Sequence, residues 1–132
     1  MRFGLYCLCI SLIISLFSAC DVANSHDMYL QDPHSYAQPA DARVNTLELD
    51  IEVSFEEQQL SGSAVLGITK EKGVRELILD TKDLVIERVA ISSNRLDTKT
   101  VDYVLGEADS ILGQSLTIPI EENTTFVHIN YG

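Results

Sequence analysis

The chain has 132 residues, with 9 basic and 20 acidic side chains and a formal net charge of −11. So acidic a balance argues against a nucleic-acid interface, which needs a basic stripe, and fits a solvated exterior. All three cysteines, Cys7, Cys9 and Cys20, fall at the start, so the rest has no pair for an internal disulfide and no thiolate cluster for zinc.

Residues 1–20 read as a leader outside the fold. Arg2 supplies a short positive start, and Leu5 to Phe17 form an apolar run. A bilayer-spanning helix needs roughly 20 apolar residues, so this run suits the hydrophobic region of a secretory signal peptide better. It ends in Leu16-Phe17-Ser18-Ala19-Cys20. Small residues directly before a cysteine resemble a bacterial lipobox, which makes Cys20 the expected lipid attachment site and the membrane the expected tether. Phe17 stands where leucine is commonest, and an ordinary signal peptide cut near Ala19 is the alternative. The expected location is the bacterial cell envelope, as a periplasm-facing lipoprotein.

Residues 21–42 read as a tether and lead-in. Pro33 and Pro39 keep this stretch out of helix and sheet interiors. His34, in Asp32-Pro33-His34-Ser35, has no His or Cys at ligand spacing, and a structural or surface role suits it better than a metal.

The domain proper is expected over 43–132. From Leu47, apolar residues take every second position (Leu47, Leu49, Ile51, Val53, Phe55), separated by Glu48, Asp50, Glu52 and Ser54. Period two is the signature of a β-strand with one face buried. A second alternating run, Leu60, Gly62, Ala64, Leu66 and Ile68, follows a short polar link and completes a hairpin. Leu49 and Ile51 are expected in the core, with Asp50 and Glu52 in solvent. Burying the five large residues of the first run would contribute about 10 kcal/mol before entropy costs.

Short strands are predicted at Glu76–Asp80, Leu84–Ser92, Val101–Leu105, Ser115–Ile120 and Thr124–Tyr131, separated by polar turns. Pro119 lacks an N–H and belongs at a strand end or edge. The last strand is expected at an unpaired sheet edge that favours self-association. Seven strands without a convincing helical period predict an all-β antiparallel sandwich.

No residue pattern carries catalysis. The histidines His26, His34 and His128 are followed by Asp27, Ser35 and Ile129, so no His-Glu-x-x-His exists. Ser61-Gly62-Ser63 lies mid-strand without a Gly-x-Ser-x-Gly frame. No catalytic, cofactor-binding or metal-binding residue is assigned.

The segments DPHSYAQPADARVNTLELDIEVSFEEQQLSGSAVL and LILDTKDLVIERVAI resemble the N-terminal β-domain of the aminopeptidase N family, in its leukotriene hydrolase and cold-adapted bacterial aminopeptidase branch. The most specific pieces are Asp32-Pro33-His34-Ser35, Leu60-Ser61-Gly62 and Leu79-Asp80-Thr81-Lys82-Asp83-Leu84. The resemblance implies a β-sandwich that packs on a thermolysin-like zinc domain which removes N-terminal residues from peptides. The Gly-x-Met-Glu-Asn and His-Glu-x-x-His motifs of that zinc domain are not in this sequence, so zinc and peptide substrates are expected only through a domain beyond it. The chain is accordingly expected to be an incomplete first domain, inactive alone. The alternative is a free-standing exported β-sandwich used for binding or assembly.

Overall fold

The computed structural model describes residues 32–132; the leader, Cys20 and His26 lie outside the described residues. Eight strands form two antiparallel sheets, and no described residue is helical. The larger sheet contains β1 (Ala42–Ser54), β2 (Gln59–Lys70), β8 (Phe126–Tyr131), β4 (Ile86–Ser92) and β5 (Lys99–Val101), side by side in that order. The smaller one contains β3 (Glu76–Thr81), β7 (Gln114–Pro119) and β6 (Val104–Leu105), with β7 in the middle.

The predicted hairpin is present in the predicted phase. Leu47 pairs with Leu66, Leu49 with Ala64, Ile51 with Gly62 and Val53 with Leu60. Directly paired residues share a sheet face, so the apolar sets of both strands lie on the same side. On that side stand Val127 and Ile129 of β8 and Val89 and Ile91 of β4. The smaller sheet lays Leu77, Leu116 and Ile118 over them, and Ile120 follows from the end of β7. Leu77, Leu116, Ile118, Val89 and Val127 are fully buried there.

The core expected on β1 is not formed. Leu47, Leu49, Ile51 and Val53 are 48–56% exposed, and Phe55 more so. Their alternation points them to the inner side, as the period requires, but the smaller sheet covers β2, β8 and β4 and leaves β1 bare. Only Ala42, at the start of β1, is buried. Asp50 and Glu52 are in solvent, as expected.

Two further expectations are corrected. Thr124–Tyr131 does not form an edge: β8 lies in the centre of the larger sheet, hydrogen-bonded to β2 and β4. Its period-two pattern suits an edge or a centre equally, because pairing partners far away in sequence decide the position. The edges are β1 and β5. The single strand expected at Val101–Leu105 is divided, because the chain leaves one sheet after Val101 and enters the other at Val104. Tyr103, at the crossing, donates its hydroxyl to the Ile86 carbonyl at 2.5 Å, beside a bulge in β4. Pro119 closes β7, where its missing N–H costs no interior ladder bond.

The lead-in is held to the smaller sheet. The Asp80 carboxylate accepts hydrogen bonds from the Ser35 hydroxyl at 2.6 Å and the Tyr36 backbone N–H at 2.7 Å.

Candidate functional site

Among the described residues, no three His, Cys, Asp or Glu side chains come together to hold a metal. His34 is exposed, with its backbone N–H donating to the Asp32 carboxylate at 2.9 Å. His128 lies elsewhere, on the outer face of the larger sheet, so the two histidines do not meet. The zinc that the resemblance implies therefore has no ligand set among these residues.

His128 Nε2 shares a 2.8 Å hydrogen bond with the hydroxyl of Ser92, a buried residue. Burial, and then the positive charges of Arg95 and Arg88, hold its imidazole below the usual histidine range. A serine beside a neutral imidazole invites a nucleophilic reading. Here Ser92 is buried and no described carboxylate hydrogen-bonds the imidazole, so the pair holds β4 to β8 and has no nucleophilic frame. Above it, Arg95 stacks on the Phe126 ring at 4.7 Å and grips Glu48 through two hydrogen bonds of 3.1 and 2.6 Å. The loop after β4 is thereby strapped across the outer face to β1.

Further along that face is a shallow hollow of about 410 Å³. Asp50 and Glu52 of β1 form one bank, Ser61 and Ser63 of β2 the floor, and Glu87 the opposite side. The carboxylates stand over small hydroxyl residues because Asp50 pairs with Ser63 and Glu52 with Ser61. Such a surface attracts positive charge and has no catalytic frame.

The most extended apolar feature of the larger sheet's surface is the bare side of β1. Leu47, Leu49, Ile51 and Val53, with Leu60 of β2, make an apolar stripe on the inner side of the larger sheet. β1 is also an edge strand, so one side of its backbone is unpaired among the described residues. An apolar stripe beside an open strand edge has one natural use, the docking of more polypeptide. The alternation in Leu47–Val53 is a sequence signal of an interior face, and nothing local distinguishes an interior completed by this chain from one completed by another segment.

No protein-family model matches the chain. A leukotriene A-4 hydrolase from Xenopus laevis is 30% identical over 97 residues, which are 73% of this chain and 15% of that protein. Leucine aminopeptidase 2 from Yarrowia lipolytica is 27% identical over 94 residues, or 71% of this chain and 14% of the relative. Among solved structures, native yeast leukotriene A4 hydrolase superposes with a TM-score of 0.66 at 26% identity, covering 76% of this chain and 16% of that one. The yeast enzyme in complex with bestatin gives 0.65 at 25% identity. The chain thus spans about 15% of the length of these curated relatives.

Proposed function

We propose, from the premise that this chain is homologous to the N-terminal β-domain of the leukotriene A-4 hydrolase and leucine aminopeptidase proteins, that it is the scaffold domain of an exported zinc aminopeptidase. In this reading the domain supplies no catalytic group. Zinc and peptide chemistry belong to a further domain, and this one presents a rigid surface for that domain to pack on. The observation that carries the reading is the uncovered β1 face: burying Leu47, Leu49, Ile51 and Val53 would stabilise an interface by several kcal/mol before ordering costs, roughly 25 cal/mol per Å² of apolar surface.

Export and anchoring rest on the leader, with Cys20 as the lipidated residue and the cell envelope as the location. Replacing Cys20 with Ala and fractionating cells tests this: the wild-type chain sediments with membranes and the variant does not. A wild-type chain found wholly in the soluble periplasmic fraction would remove the anchor.

Coding DNA beyond Gly132 tests the scaffold reading directly. A frame that continues into His-Glu-x-x-His supports it. A stop codon there, with no zinc-domain partner recovered on purification, would favour a free-standing binding module. The purified chain is expected to leave aminoacyl-arylamides intact and to carry no stoichiometric zinc; chelator-sensitive release of an N-terminal amino acid by this chain would overturn the reading.

A further inference from the structure

We infer that the free edge of β1 accepts one added antiparallel strand, supplied by a partner polypeptide in which apolar residues alternate with lysine or arginine. This rests on the scaffold reading, in which the polypeptide that packs on the bare face is the one that supplies the strand, and its test does not depend on any peptidase activity.

Three observations converge on β1. It is a long strand that, among the described residues, pairs only with β2, so its other side offers a row of backbone donors and acceptors. Its inner side chains Leu47, Leu49, Ile51 and Val53 are half exposed and would be covered by the apolar residues of an added strand. Its outer side chains Glu48, Asp50 and Glu52 are acidic, and they alternate with the inner set. A strand laid beside β1 must place its own residues on the same two faces, because paired residues share a face. Its inner residues must therefore be apolar, and its outer ones meet carboxylates.

The carboxylates choose the occupant. A second copy of this chain, pairing β1 with β1 in antiparallel register, would set the two acidic faces of Glu48, Asp50 and Glu52 side by side. Like charges opposite one another destabilise a sheet. The acidic stripe therefore works against self-pairing at an edge that would otherwise invite it. Basic outer residues reverse the sign. Glu48 already holds Arg95 at 2.6 Å, so Asp50 and Glu52, which form no ion pair among the described residues, carry most of the preference. Glu87, across the small residues Ser61 and Ser63, adds a third negative charge that a long basic side chain could reach.

The test uses the full chain and two labelled synthetic decapeptides, one alternating valine with lysine and one alternating valine with glutamate. Anisotropy titration at low salt is expected to show the lysine peptide binding at least about tenfold tighter, with the preference fading as salt rises. The double variant Asp50→Lys/Glu52→Lys, both sites exposed, is expected to reverse the order. Ile51→Lys is expected to weaken both peptides by disturbing the apolar side. Equal affinity for the two peptides, no binding of either, or a preference unchanged in the double variant would each overturn the inference. So would a concentration-dependent dimer of the full chain that is dissociated by neither peptide, because a second copy would then occupy the face.

Discussion

The Ser35 hydroxyl and the Asp80 carboxylate meet at 2.6 Å, which joins the lead-in to the end of β3. The Tyr36 backbone N–H donates to the other carboxylate oxygen at 2.7 Å, so one side chain fixes two consecutive residues. Hydrogen bonds to a carboxylate are stronger than neutral ones, but these lie in solvent reach. Asp80→Ala should therefore cost about 1 kcal/mol in a denaturant titration and raise amide exchange at Tyr36. Unchanged exchange at Tyr36 would show that the lead-in is held by something else.

The uneven cover of the larger sheet predicts an uneven mutational response. Leu116→Ala, in the closed part of the core, should cost about 2–5 kcal/mol. Ile51→Ala, on the bare stripe, should cost less than about 1 kcal/mol, because little of its surface is removed from water. Similar shifts in the denaturation midpoint would mean that β1 is covered after all.

Gly62 should not tolerate a side chain. Its φ of +154° lies where other residues are rare, and an added Cβ would overlap the Asp50 carbonyl oxygen of the neighbouring strand. Backbone cannot step aside as a flexible side chain can, so Gly62→Ala should cost about 1–3 kcal/mol. Gly73 is the control. Its φ is also positive, but nothing lies within 4 Å of its missing Cβ, so Gly73→Ala should cost less, as read from thermal unfolding.

The depressed pKa of His128 has a pH signature. In the unfolded chain the imidazole returns to about 6.5. Between that value and the lower folded one, the unfolded state binds more protons, so stability rises with pH. The contribution is fully present above about pH 6.5 and is lost as pH falls through the folded pKa. His128→Gln should flatten this part of a stability–pH curve, and an identical slope in the variant would assign it to another group.

Period and turn chemistry made most of the strands legible, including the phase of both hairpin strands and the outward set Glu48, Asp50 and Glu52. What they could not supply is the extent of the layer above. Leu49 carries the same signal whether a second sheet reaches it or stops at β2, because alternation reports which way a side chain points and not what it meets. Position within a sheet is equally silent. Phe126–Tyr131 pairs with strands distant in sequence, and neither partner leaves a local trace. Tyr103 could not be told from a strand residue, because a crossing between sheets is set by where both sheets lie. The Ser92–His128 bond had no local signal beyond the outward phase of His128. In Asp80 and Ser35, the sequence displayed both partners of a contact and withheld only that they touch.

The central place of β8 also governs the order of assembly. The hairpin of β1 and β2 precedes the other described strands in the chain, yet the neighbour of β2 is β8, which follows all of them. Until β8 arrives, Leu66 and Ala64 have no Val127 or Ile129 beside them, and β4 has no partner on that side. The larger sheet therefore cannot grow outward from the ribosome in step with synthesis. Its central pairings join segments far apart in the chain, the kind of topology that folds slowly. Until those pairings form, the hairpin's apolar face is open to its surroundings.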